Sequence, residues 1–180
     1  MSQPLRLSSG GFIDRESFIE FTFNGRRYKG HPGDTVASAL LANGVRVVGR
    51  SFKYHRPRGI FSAGAEEPNA LLQLEAGDRT LPNQQATLVE LYDGLSADSV
   101  NCWPSPDFDA MSLIGLFHRL TPAGFYYKTF MWPASFWKYY EYFIRHAAGL
   151  GKAPKAADPD HYDKMNAHAD VLVVGGGPSG

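Results

Sequence analysis

The sequence predicts an α+β fold: a small mixed β-sheet packed on a helix, followed by an aromatic-rich helical connector and the first strand of a second, α/β unit. Three observations carry this. Phe18–Phe23 and the residues after Asn24-Gly25 read as a hairpin, because aromatic and β-branched runs flank a two-residue turn signal. The block Asp34–Gly44 has a helical apolar period with polar residues at its start and glycine at its end. The chain stops on Val171-Leu172-Val173-Val174 followed by Gly175-Gly176-Gly177-Pro178-Ser179-Gly180, a buried-strand pattern running into G-x-G-x-x-G.

Taken in order, residues 1–17 are polar and glycine-containing and read as an N-terminal arm. Residues 18–23 form the first strand, and Arg26–His31 return antiparallel to it. Pro32-Gly33 punctuates, Asp34 or Thr35 caps a helix over Val36–Asn43, and Val36, Ala39 and Leu40 share its apolar face. Val45–Val48 reads as a short strand, Ala70–Leu74 as another, Ala76–Arg79 as a turn and Ala86–Leu91 as a last strand. From 103 to 150 the three tryptophans and most tyrosines concentrate, with helical rhythm near Ser112–Leu120 and Ser135–Leu150. Residues 151–168 are rich in Gly, Pro, Ala and Asp and read as a linker.

Composition narrows the function classes. Lys+Arg and Asp+Glu balance at 18 each, so net charge argues for neither a nucleic-acid nor an anionic-membrane partner. The N-terminus lacks an apolar signal core, and charges and proline break the aromatic run at 125–144, so a cytoplasmic protein is expected. The single cysteine, Cys102, rules out an intrachain disulfide framework and reads as a buried structural thiol. Asp158, Asp160, His161, Asp163, His168 and Asp170 are metal-ligand residue types at no recognisable spacing, so no metal site is assigned. No residue stands out as a general base or nucleophile.

Two segments are candidates for binding. In the terminal fingerprint, Gly175, Gly176, Gly177, Ser179 and Gly180 are the expected dinucleotide contacts, since glycines let backbone approach a pyrophosphate. The helix and ribose-binding acid that would complete the site lie beyond Gly180, so these 180 residues alone are not expected to bind the dinucleotide. The loop Gly49–Gly59 holds Arg50, Lys53, Arg56 and Arg58, and no Asp or Glu occurs between Asp34 and Glu66. Arginine forks suit phosphate or carboxylate groups, so this loop is expected to contact an anion such as a flavin phosphate. The plain alternative is a solvated loop whose arginines meet acids from elsewhere in the fold or from another subunit.

Gly10–Arg15, Gly33–Gly44, Gly49–Gly59, Glu67-Pro68-Asn69-Ala70, Val100–Pro104 and Pro122–Pro133 resemble the N-terminal part of the alpha subunits of heterotetrameric sarcosine oxidases. The resemblance covers nearly the whole chain. It implies a ferredoxin-like β-grasp domain over 18–102, a helical connector and linker over 103–168, and the start of a Rossmann-type NAD/FAD-binding domain at 169–180. Relatives that carry a [2Fe-2S] cluster place cysteines in the loop after the second β-region; here Phe61–Asn69 has none, and the expectation is no [2Fe-2S]. The resemblance further implies NAD in the full-length subunit, FAD and FMN in the partner subunit, tetrahydrofolate in the holoenzyme, and beta, gamma and delta subunits as partners. The implied reaction is oxidative demethylation of sarcosine to glycine, with peroxide formation and one-carbon transfer, and this region is expected to support assembly and cofactor binding. The alternative is an NAD(P)- or flavin-dependent reductase, or an opine or amino-acid dehydrogenase subunit, with a degenerate ferredoxin domain.

Overall fold

The computed structural model describes residues 3–120, 124, 132–147 and 151–174. Strands β1 (Ile19–Phe23) and β2 (Arg26–Gly30) form the expected hairpin, with Phe23 opposite Arg26 and Phe21 opposite Tyr28. Asn24 and Gly25 both have positive φ, 49° and 73°, the mirror-image turn that matches strand twist. Helix α1 spans Val36–Ala42. Thr35 is its N-cap in a capping box with Ser38, and Asn43 its C-cap. The sheet is completed by β5 (Leu71–Leu74), β6 (Leu81–Gln85) and β7 (Ser96–Ser99) in the order β2-β1-β7-β5-β6. Within this sheet β1 and β7 pair in parallel and the other neighbours antiparallel. A separate two-stranded ribbon joins β3 (Gly49–Arg50) to β4 (Pro57–Arg58).

The core lies between α1 and one face of this sheet. Phe21 and Phe23 of β1, Leu72 and Leu74 of β5, and Ala97 of β7 are buried against Val36, Ala39 and Leu40, the three helix positions the sequence placed inward. Period-2 alternation selects the strand residues and the 3.6-residue period selects the helix residues, so both signals were legible.

Three strand assignments differ from expectation. Val45–Val48 is not a strand; the ribbon begins at Gly49, while Val48 is fully buried and its amide bonds the Arg58 carbonyl at 2.8 Å. The strand expected at Ala86–Leu91 lies instead at Leu81–Gln85, despite Pro82 and a left-handed Asn83. Ala86 and Leu91 are buried for another reason, while Leu88 is 58% exposed. The carbonyls of Val89 and Ala86 accept from Val36 and Ala37, each at 2.9 Å, satisfying the helix N-terminal amides that have no intrahelical partner. Strand β7 was missed because Ser-Ala-Asp-Ser carries almost no apolar signal. It sits centrally because β1 pairs with one of its edges and β5 with the other.

The helical stretches after 103 are partly 3-10: Ala110–Leu120, then Ala134–Phe136 running into α2 (Trp137–Ala147). Residues 171–174, expected as a buried parallel strand, form none and are 66–88% exposed. A parallel strand is completed only by crossover neighbours, and the described residues supply no such neighbour. The fingerprint residues Gly175–Gly180 and the aromatic positions 125–131 lie outside the described residues.

The segment read as a linker is fastened to the β5–β6 hairpin. Lys152 N–H donates to Gln73 Oε1 at 2.8 Å and Gln73 Nε2 donates to the Lys152 carbonyl at 3.1 Å, so one side-chain amide imitates a strand partner. Gly151 N–H donates to Asn83 Oδ1 at 3.0 Å, and Arg79 pairs with both carboxylate oxygens of Asp160 at 2.7 and 2.8 Å. A Cβ at Gly151 would stand 2.4 Å from Gln73 Oε1 and 2.8 Å from Pro82 Cβ. Gly151→Ala is therefore expected to unseat the segment at a cost of about 1–3 kcal/mol. Limited trypsin digestion should then cut at Lys152, Lys155 and Lys164 roughly tenfold faster than in the parent chain. An unchanged cleavage rate would mean that these contacts do not hold the segment.

Candidate functional site

The arginine-rich loop is shaped by its own backbone. Ser51 and Arg56 exchange bonds across the β3–β4 ribbon: Ser51 N–H to the Arg56 carbonyl, and Arg56 N–H to Ser51 Oγ, each at 2.9 Å. His55, with φ of 51°, turns the chain between them. Its buried ring donates from Nδ1 to Asp109 Oδ2 at 2.8 Å. Asp109, equally buried, accepts on Oδ1 from the amides of Trp103 and Met111 at 3.0 and 3.1 Å. This pair welds the ribbon to the 103–111 segment. Neither residue was singled out from sequence, because 54 positions separate them.

The four expected anion ligands have different duties. Arg50 turns inward, donating from Nε to the Pro106 carbonyl at 2.7 Å and from Nη1 to the His55 carbonyl at 3.0 Å. Lys53 and Arg56 both lie on the Tyr54 ring, 4.9 and 5.1 Å from its centroid. Arg56 and Arg58 are exposed. The loop therefore presents cations outward while Arg50 holds its frame.

The segment after the ribbon, Ile60–Ala70, is organised around Glu67, which is 2% exposed. Oε2 accepts from the amides of Phe61 and Ser62 at 2.7 and 2.5 Å, and Oε1 from those of Asn69 and Ala70 at 2.8 and 3.2 Å. Burial pushes this carboxyl up, but the four N–H groups together pull it below the ordinary 4.5. A carboxylate followed by amides two and three positions on was the local signal for this role.

Cys102 lies 3.1 Å (Sγ to Oγ) from Ser99, and burial pushes its thiol up, which disfavours the nucleophilic thiolate. It borders a cleft of about 930 Å³ that also includes His55, Asn101, Trp103, Arg145 and Lys152. In the acidic run, Asp160 is taken by Arg79 and Asp158 accepts from the Tyr162 hydroxyl. Among the described residues no group of three or more His, Cys, Asp or Glu is arranged to hold a metal ion, and no helix is long and apolar enough to cross a membrane.

Residues 16–102 match the family described as "2Fe-2S iron-sulfur cluster binding domain". This match corrects the expectation of no [2Fe-2S]: the family that residues 16–102 resemble is one of iron–sulfur cluster binding domains. The donors in this chain do not make up the usual four-thiolate set, since Cys102 is its single thiol, so no step below runs through a cluster. The chain is 60% identical over 97% of its length to the sarcosine oxidase subunit alpha of Rhizobium meliloti (strain 1021), covering 18% of that protein. It is 35% identical over 100% of its length to the corresponding subunit of Corynebacterium sp. (strain U-96), covering 14% of it. The chain thus spans less than a fifth of these relatives. A crystal structure of L-proline dehydrogenase from P. horikoshii overlaps 53% of this chain and 17% of its own, with 23% identity and a TM-score of 0.40, too distant a likeness to bear on the fold.

Proposed function

We propose, from the premise that this chain is homologous along nearly its whole length to sarcosine oxidase alpha subunits, that it is the N-terminal region of such a subunit. The whole protein would be a flavin-dependent oxidoreductase that demethylates sarcosine to glycine, forms peroxide and passes the one-carbon unit to tetrahydrofolate. It would work in the cytoplasm with beta, gamma and delta subunits. Residues 175–180 would open an NAD-binding Rossmann domain, with Gly175, Gly176, Gly177, Ser179 and Gly180 against the pyrophosphate. The present region supports assembly and cofactor retention.

The observation that carries this reading is the 60% identity over 97% of the chain. The geometry supports a supporting rather than catalytic role. Among the described residues the buried ionisable groups His31, Asp34, His55, Glu67 and Asp109 are each engaged by backbone or by one another, leaving none of them poised on a substrate. The outward cations of the loop are assigned to an anion at a subunit junction, a flavin phosphate or an acidic partner surface, with Arg50 as the framing residue.

The test is sarcosine-dependent peroxide production by the whole subunit co-expressed with its partners. Activity that requires this subunit is expected. NADH-dependent dye reduction with no sarcosine oxidation would replace the proposal with the reductase alternative. In the same preparation, Arg56→Ala combined with Arg58→Ala should lower flavin content or the assembled fraction about tenfold, since each lost charge-assisted contact is a substantial part of an anion's affinity. Unchanged flavin content and complex mass would remove the loop from the site.

A further inference from the structure

A second concavity, of about 430 Å³, opens beside the β1–β2 hairpin, away from the tip of the arginine loop. Its apolar lining is Phe23, Tyr28, Val45 and Val47. Two guanidinium-bearing residues, Arg26 and Arg46, border it, opposed by one carboxylate residue, Asp107. Among the described residues neither arginine forms an ion pair.

Register explains why Arg26 is there. Arg26 stands opposite Phe23 and Tyr28 opposite Phe21, so both share the sheet face that carries the core, while Arg27 between them faces the other way. Arg26 is exposed, so its side chain stands at the rim of the concavity and not in the core. Arg46 is brought alongside by the burial of Val48 and by the close approach of Gly59, where a Cβ would stand 2.6 Å from the Arg46 carbonyl. The far wall, Pro106 and Asp107, is held by Arg50, whose Nε and Nη2 donate to their carbonyls at 2.7 and 3.4 Å. The concavity is thus framed by tertiary contacts on both sides.

We propose that this concavity is a binding site for a phosphomonoester carried on a planar ring, a ligand of nucleotide size. Two arginines bordering one concavity, neither in an ion pair among the described residues, favour an anion, and forked donors favour phosphate. The half-buried Tyr28, Val45 and Val47 offer aromatic and aliphatic surface to the flat face of a ring, and the volume falls within the usual range for small-molecule sites. This site is distinct from the dinucleotide fingerprint and from the outward cations of the loop tip.

The probe is adenosine monophosphate, titrated calorimetrically into the chain beside inorganic phosphate and adenosine. Adenosine monophosphate should bind more tightly than either fragment, and more weakly as salt rises. Arg26→Ala combined with Arg46→Ala should weaken it about tenfold or more. Arg27→Ala, equal in charge but on the opposite face, should leave it unchanged. Both arginines are exposed, so a thermal unfolding curve matching the parent is expected and separates lost binding from lost folding. Absence of binding at millimolar nucleotide, or equal weakening by Arg27→Ala, would overturn the proposal.

Discussion

Replacing Glu67 by alanine is expected to lower the stability of the chain by about 3 kcal/mol or more, because a buried carboxylate and its four amide donors are broken at once. For a domain of this size that is a fall in melting temperature of roughly 10 °C or more. Glu67→Gln should fare little better. Both carboxylate oxygens are filled by N–H donors, so the new amide would turn its own N–H groups against two of them. The neighbouring Glu66 is exposed, and Glu66→Ala should change little. The sign of the pH effect follows from the depressed carboxyl. Glu67 contributes fully above its unfolded value near 4.5, and its contribution fades as pH falls through the lower folded value. Acid denaturation should therefore be steeper in the parent than in Glu67→Ala. Equal acid limbs and an unchanged melting point would show that the loop stands without its carboxylate.

The second large effect is expected at Asp34, which is 1% exposed. Arg6 donates to it through both terminal nitrogens at 2.7 and 2.6 Å, the His31 amide at 2.9 Å and the Ser38 hydroxyl at 2.7 Å. Burial pushes this carboxyl up, and Arg6, Ser38 and the His31 amide together bring it below the ordinary 3.8. Asp34→Ala leaves a mostly buried guanidinium without its partner and should cost about 3–5 kcal/mol. Arg6→Ala should cost less, because the His31 amide and Ser38 still serve the carboxylate. The measurement is the denaturant midpoint of each variant, repeated at low and high salt. Enclosure of the pair predicts little salt dependence. A small, salt-sensitive loss would make it an ordinary surface bridge.

These two acids mark the boundary of what could be read in one dimension. The capping block around Asp34 and Thr35 was visible, since an acid or hydroxyl before an apolar helical run signals an N-cap. The structure divides that role: Thr35 caps, and Asp34 ties down the arm. The arm itself read as merely polar. Only the fold shows Gln3 Nε2 donating to the Lys29 carbonyl at 2.6 Å and Leu5 N–H to that of Ala42 at 3.2 Å. Likewise the loop over 49–58 was singled out for its charge, yet Arg50 serves three backbone carbonyls more than 50 residues away or across its own turn. Charge density is a local property; the partner of a charge is not.

By itself the sequence determined the β1–β2 hairpin, the helix with its caps and buried face, the mixed α+β class and the kinship of the domain. Each rests on a short-range rule, a turn pair, a period or a run of residues, acting within about ten positions. The tertiary structure decided which strand lies at the centre, why Ala86 and Leu91 are buried outside any strand, and that the linker is clasped to β5–β6. It also decided which buried acids hold which loops. Those outcomes depend on what the rest of the chain brings alongside: a short polar strand is central because its neighbours pair with it, and a carboxylate is buried because distant residues enclose it.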